Sequence, residues 1–443
     1  MKYDNEKQRQ KHLRVYEDRS EYHKGNGESE IFQEGAISND AKKRIKNVKD
    51  AFKKGFLNKL IDALLSGAEQ VNSLNVSSKA ESCVNGLVDS LTSEVGRALI
   101  GLSVMQLCVK SIAPDQNIRL HKGSVNHASF SWVEGISMRT LDKKYVTPTL
   151  RKYGLLRLNA DGFMMTRSLA ENYPYTHLYK ANLRGARSEW LALVEEVEGK
   201  KTSALETLKF LLSRLINAAS DFSNEADSLL SQANNHITKC VNRRATISIL
   251  VRHLEKSDYA ARLLEINMHA LMQAAVESGA FGDMEVKPLS QMRSANKKHG
   301  NIGDIELLEA GQIAEAWDAK YGKGYLREEI EEAVEKFQDH DNVRTVGFVT
   351  TSEIDRAGEI QKRIEEIEEL YSISLKVLSY RNWVDLIYKR VLTSEMMSET
   401  DLSQNWFSTY CNYLAQKRRD VAPIDEPCLV WVKSLQQIIR EFA

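Results

Sequence analysis

An aspartate at position 304 is followed, after thirteen intervening residues, by Asp318-Ala319-Lys320. Two carboxylates and an ammonium brought to one point can hold a divalent cation through the acids, while the lysine offsets negative charge or orients a water for attack. The plainer use of the same three residues is an ion-pair cluster on a half-buried sheet. What separates the two is how the chain between them folds. In GDIELLEAGQIAEAWDAK, the segments IELL and QIAEAWDAKY read as strands separated by the short turn Glu309-Ala310-Gly311, whose glycine supplies the permissive backbone. Alternation places Ala314, Ala316, Asp318 and Lys320 on one face of the second strand and Ile313, Glu315, Trp317 and Ala319 on the other. Pairing through the turn sets Asp304 opposite a position close to Ala316, and so diagonally near Asp318. Trp317, on the opposite face, is expected in the core.

Other residues compete for the same chemistry. Asp283-Met284-Glu285-Val286-Lys287 also holds an acid-x-lysine, but Pro288 and the long basic loop that follow separate it from the hairpin, so the downstream set is preferred. Glu285 is left as a metal or supporting contact. Glu265, on the preceding helical stretch, either approaches the site as a metal-linked carboxylate or is an ordinary surface acid. Arg293, Lys297 and Lys298 in the loop suit a DNA phosphate surface. The ten histidines form no HxH or HExxH group, which argues against a zinc hydrolase.

A chain of 443 residues is long enough for two or more domains, and its 61 basic and 61 acidic residues balance to a formal charge of zero. A nucleic-acid partner would therefore have to meet local basic surfaces. Cysteines at 83, 108, 240, 411 and 428 are too scattered for a paired zinc motif or a disulfide framework. The amino terminus lacks the apolar segment of a secretory signal and no apolar run reaches membrane-spanning length, so a soluble cytoplasmic protein without membrane contact is expected.

Residues 1-40 read as a polar flexible arm, 41-240 as a mainly helical DNA-recognition region, 241-395 as the part carrying the hairpin, and 396-443 as helices that either finish the core or make a dimer surface. The basic amphipathic stretch AKKRIKNVKDAFKKGFLNKLIDALLSG is either a phosphate contact or a solvated helix face. In GISMRTLDKKYVTPTLRKYGLLRLNADGFMMTRSL, a helix followed by LLRL, a turn and FMMT resembles a winged helix. Arg139, Lys143, Lys144, Arg151, Lys152 and Arg167 would then face DNA; the alternative is a charged surface around a helical core.

Beyond the hairpin, YLREEIEEAVEKF reads as a helix, VRTVGFVTT as a strand, IQKRIEEIEELY as a helix and SLKVLSY as a strand. This order, with Asp304 and Asp318-Ala319-Lys320 on the hairpin, resembles the PD-(D/E)xK nuclease core, although Gly303 stands where that motif has proline. The stretches GISMRTLDKKYVTPTLRKYGLLRLNADGFMMTRSLAENYPYTHLYKANLRGAR and GNIGDIELLEAGQIAEAWDAKYGKGYLREEIEEAVEKF resemble type II restriction endonucleases of the SacI-like group. The resemblance implies an α/β restriction-endonuclease-like core preceded by a large helical region. It further implies Mg2+-dependent cleavage of specific double-stranded DNA sites, a homodimer, and a cognate DNA methyltransferase as genetic partner. Asp304, Asp318 and Lys320 match the catalytic positions, with Asp304 and Asp318 as metal ligands. A non-catalytic DNA-binding regulator, in which the acids and lysine are only an ion-pair network, is the competing expectation.

Overall fold

The computed structural model describes residues 10–25, 27–124, 130–156, 162–165, 169, 171–181, 183, 185–240, 242–289, 301–420 and 427–442, the side chains of 238–240 and 417–420 excepted. It is a mixed α/β protein whose chain divides into two compact units, Met1–Asp221 and Phe222–Ala443. The division lies within one long helix, Ala204–Cys240, rather than at the boundary expected near 240.

The N-terminal unit opens with an antiparallel meander, β1 (His12–Val15), β2 (Arg19–His23) and β3 (Ser29–Gln33). The expected flexible arm is thus corrected over these residues. Its polar composition conceals a short alternation in which Tyr22 and Phe32 are buried against Leu120 and Trp132. The helices that follow are α1 (Asn39–Lys53), α2 (Phe56–Leu65), α3 (Ser78–Asp89) and α4 (Glu94–Ile112). Ser38, Ser77 and Ser93 cap α1, α3 and α4 by accepting from the backbone N–H three residues on. Contrary to expectation, α4 is long and apolar enough to cross a membrane, but 78% of its apolar window is buried inside the unit, as a central core helix requires.

Residues 138–152 form one winding segment: α5 (Met138–Leu141), a π-turn (Asp142–Val146) and α6 (Thr147–Lys152). The winged-helix expectation is corrected at its second strand, while residues 157–161 of its first strand and turn lie outside the described residues. Phe163–Met165 is a 3-10 turn with Phe163 and Met164 buried, and no strand occurs among the described residues of 136–169. Buried Asp142 fixes this arrangement, its carboxylate accepting from Thr147 Oγ1 (2.5 Å) and from the Met164 backbone N–H (3.0 Å). α7 (Arg187–Glu198) and the first part of α8 (Ala204–Cys240) complete the unit.

In the C-terminal unit, α9 (Arg243–Glu255) and α10 (Ala260–Glu277) precede β4 (Glu285–Val286), β5 (Ile305–Glu309) and β6 (Gln312–Lys320). Then come α11 (Arg327–Phe337), β7 (Thr345–Thr350), α12 (Ala357–Tyr371), β8 (Ser374–Ser379), α13 (Tyr380–Thr393), α14 (Glu399–Asp420) and α15 (Cys428–Phe442). The five-stranded sheet runs β4-β5-β6-β7-β8, antiparallel through β6 and parallel from β6 to β8. The parallel pairs are the ones joined by helical crossovers, as they must be. One face of the sheet, through Ala316, Val346, Phe348 and Leu375, packs on α11 and α12; the other, through Ile305, Leu307, Trp317 and Val349, joins the core built by α10, α13, α14 and α15. Trp406, Phe407 and Tyr410 of α14 and Trp431 and Leu435 of α15 are fully buried there, so these helices finish the core.

Trp317 is core, as its face required, at 1% exposure. It lies beside Gly347 of β7 in the parallel pairing, and a Cβ at 347 would stand 2.2 Å from the indole ring. Gly347→Ala is therefore expected to destabilise the C-terminal unit by about 1–3 kcal/mol through overpacking. Urea denaturation measures this, and pairing it with Trp317→Leu should recover part of the loss; additive costs in the double variant would refute the steric cause.

Candidate active site on the β5–β6 hairpin

The turn between β5 and β6 is two residues, Ala310 and Gly311, both at positive φ (50° and 79°), which is the backbone a tight hairpin needs. From this turn the pairing starts as Glu309 with Gln312 and Leu308 with Ile313, then passes to Leu307 with Glu315. Ala314 is the extra residue of a β-bulge. The bulge has two consequences. It moves Ile313 out of the Trp317 face into the core beneath α11 and α12, correcting the strict alternation expected for β6. It also advances the register, so that Ile305 pairs with Trp317 and Asp304 comes opposite Asp318 rather than near Ala316. Without the extra residue the two carboxylates would fall on different faces of the hairpin.

The structure brings Asp304, Asp318 and Lys320 together. Asp304 accepts from the Ala319 backbone N–H at 3.0 Å and is hydrogen-bonded to Asp318. Lys320 Nζ lies 2.9 Å from Asp318 Oδ2. Burial, reinforced by the charges of Asp318 and Glu265, holds the Asp304 carboxyl well above the usual carboxylate range. Burial disfavours the Lys320 charge, but Asp318, together with Asp304 and Glu329, outweighs it and raises the ammonium pKa. The half-buried Glu265 of α10 reaches this neighbourhood and is ion-paired with buried Arg262 one turn before it. Lys320 also feels Glu329 of α11, which is paired with Lys323.

Glu285 does not join them. It is exposed on edge strand β4 opposite Leu308, about 13 Å along β5 from Asp304 at a strand rise of about 3.3 Å per residue. Its neighbour Lys287 does something the sequence reading missed. Lys287 Nζ donates to buried Glu306 (2.6 Å) and to Asn301 Oδ1 (2.8 Å), while the other oxygen of Glu306 accepts from the backbone N–H groups of Ile302 (2.6 Å) and Gly303 (3.3 Å). This network fixes the turn that delivers Asp304. The only hint in the sequence is that Glu306 shares Asp304's side of β5 by alternation, which says nothing of its partner. Gly303 is explained in the same place: a Cβ there would come within 2.7 Å of the Trp317 carbonyl oxygen. Glu315, the other buried acid of β6, is absorbed by Arg390 and the Trp317 indole N–H, each at 2.7 Å, and is outside the site.

Of the candidate DNA contacts, Arg139, Lys143, Lys144, Arg151 and Lys152 are all exposed on the winding segment of the N-terminal unit. Arg167, Arg293, Lys297 and Lys298 lie outside the described residues. Among the described residues, cysteines 83, 108, 411 and 428 are buried free thiols, and no group of three or more His, Cys, Asp or Glu side chains encloses a metal position. The sequence matches no family model, and no curated protein is significantly similar to it.

Proposed function

We propose that this protein is a divalent-metal-dependent endonuclease of double-stranded DNA, built on a PD-(D/E)xK-type core. The observation that carries this reading is the juxtaposition of Asp304 and Asp318 across β5 and β6, with Lys320 in contact with Asp318. It occurs on a chain order of helix, three antiparallel strands, helix and parallel strand (α10, β4–β6, α11, β7). An ion-pair cluster accounts for Lys320 and Asp318 but not for a second carboxylate held against the first.

The donor set fits Mg2+. Two carboxylates at hydrogen-bond distance must share a proton or a cation, and Mg2+ characteristically takes one or two protein carboxylates and completes its shell with water and substrate phosphate. Asp304 and Asp318 would hold it, with Glu265 close enough to contribute charge. Mg2+ bound there would supply Lewis-acid stabilisation of the phosphate and a more acidic attacking water. Lys320, kept protonated beside Asp318, donates toward the attacking water or the charge that develops on the phosphate. Ala319 N–H fixes one oxygen of Asp304 and so orients the other.

Site-specific restriction cleavage, a homodimer, a protecting methyltransferase and a cytoplasmic setting follow from the SacI-like resemblance and are proposed with it. The test is incubation of the purified protein with unmodified genomic DNA and Mg2+. A fixed fragment pattern with mappable ends, blocked on methylated DNA, supports the reading; binding without breaks in Mg2+ or Mn2+, with the recognised site represented, favours the regulator instead.

Lys287 and Glu306 enter the same reading as positioning residues. Lys287→Met is expected to lower turnover about tenfold or more with KM unchanged, in keeping with residues that orient metal ligands. Lys287→Arg should restore most of it. Separate kcat and KM values, taken at a temperature where both variants are folded, decide this; an unaltered kcat in Lys287→Met would leave the network a purely structural role.

A further inference from the structure

We infer that the N-terminal unit carries a second functional surface, a cradle for the phosphate backbone of duplex DNA built jointly by α1, α2 and the segment 138–152. The chain as a whole is charge-balanced, yet residues 39–65 hold eight basic and three acidic residues, and 138–152 hold five basic residues and one acid, the buried Asp142. The two stretches adjoin. The Phe52 ring stacks on Tyr145 with centroids 5.4 Å apart, Thr149 Oγ1 donates to Asn58 Oδ1 (3.3 Å), and Tyr153 OH donates to Asp62 Oδ1 (2.6 Å). Along α1 the exposed Lys42, Lys46, Lys49 and Lys53 follow one another at helical spacing. The acids on α1 neutralise little: Asp40 meets Lys43 at 3.2 Å and Asp50 meets Lys53 at 4.0 Å in largely exposed pairs.

The chemistry of the surface selects its partner. A membrane-surface helix keeps an apolar face to insert, but Ala41, Val48 and Phe52 of α1 are buried in the unit's own core or inner packing. Single-stranded nucleic acid is held by exposed aromatic platforms; here Phe52 and Tyr145 are stacked on each other and Tyr153 is tied to Asp62. What the surface offers is an array of exposed basic side chains on α1, α2 and the segment 138–152, which suits the regularly spaced phosphates of a duplex and reads no base. This inference concerns the N-terminal unit and does not depend on hydrolysis at the other.

The test is fluorescence anisotropy of the full chain with a labelled mixed-sequence 30-base-pair duplex in EDTA, titrated over a range of KCl. Combined Lys42→Glu, Lys46→Glu and Lys49→Glu should weaken binding at least about thirtyfold and flatten the salt slope by about 2 to 3, since each lost phosphate contact removes about 0.9. Lys144→Gln with Lys152→Gln should flatten it further, and being charge-neutralising on exposed positions it serves where the reversal variant fails to fold. Lys362→Glu with Lys389→Glu, exposed in the other unit, should change neither. Unaltered affinity and slope in folded 42/46/49 and 144/152 variants would overturn the inference, as would tighter binding of the wild-type chain to an equal-length single strand or to phosphatidylserine vesicles. Duplex binding that follows these residues without cleavage in Mg2+ or Mn2+ would uphold the surface and count against the nuclease; cleavage undiminished in the surface variants would do the reverse.

Discussion

Asp318→Asn is expected to reduce DNA cleavage by on the order of a thousandfold, about 4 kcal/mol of transition-state stabilisation, while leaving duplex affinity in Ca2+ within about threefold of wild type, under about 1 kcal/mol. The asparagine keeps the size and polarity of the side chain at a position only 8% exposed, so β6 has no steric reason to shift. What it loses is one of the two proposed anionic metal ligands and the charge that holds Lys320 at 2.9 Å. In the proposed mechanism both losses act on the reacting phosphate, and both residues belong to the C-terminal unit. Single-turnover cleavage and binding, measured on the same duplex with fragment ends mapped, separate the two effects. Normal cleavage by a verified Asp318→Asn protein would remove the active site from this hairpin. A parallel collapse of binding would show instead that the substitution unfolds the unit.

The hairpin was readable because its signals are local. Period-two alternation put Asp318 and Lys320 on one face and Trp317 on the other, and the Ala-Gly turn announced itself by composition. The register was not readable, because a bulge adds a residue without a sequence mark, and here Ala314 is the residue that brings Asp304 opposite Asp318. The role of Lys287 was not readable for a related reason. Glu285-x-Lys287 looks like a second copy of the motif, but whether an acid-x-lysine serves a site depends on which strand it pairs with, and β4 pairs at the far end of β5. In the N-terminal unit, the meander over residues 12–33 was hidden by polar composition, since among its described residues Tyr22 and Phe32 are the buried hydrophobics and the third buried residue, Ser20, is polar. The FMM segment looked like a strand because it is apolar; the buried Asp142 that turns it into the core is 22 residues away in sequence from the Met164 N–H it binds. Burial partners that distant leave no local pattern.

The pairing of Asp304 with Asp318 would also make uptake of the proposed cation proton-linked. In the metal-free protein Asp304 is held protonated by burial and by the neighbouring charges of Asp318 and Glu265. Its folded-state pKa is raised above its unfolded value, so the folded protein binds more protons than the unfolded chain between the two, and stability falls as pH rises through that interval. A divalent cation held by both carboxylates, as proposed, would have to displace the same proton. Below the raised pKa, the apparent Ca2+ affinity should therefore climb by up to about tenfold per pH unit, one proton being exchanged per ion, and level off above it. Calorimetry in buffers of different ionisation enthalpy would count the proton directly. Asp304→Asn replaces the protonated carboxyl with a neutral amide that can still accept from Ala319 N–H and donate to Asp318. In metal-free solution it should gain stability relative to wild type as pH rises through the interval in which the folded protein holds the extra proton, with a flatter pH profile and much weaker Ca2+ binding. If wild-type Ca2+ affinity is flat with pH where Asp304 is protonated, or Asp304→Asn binds Ca2+ as tightly, the carboxylates do not share the cation and the metal lies elsewhere.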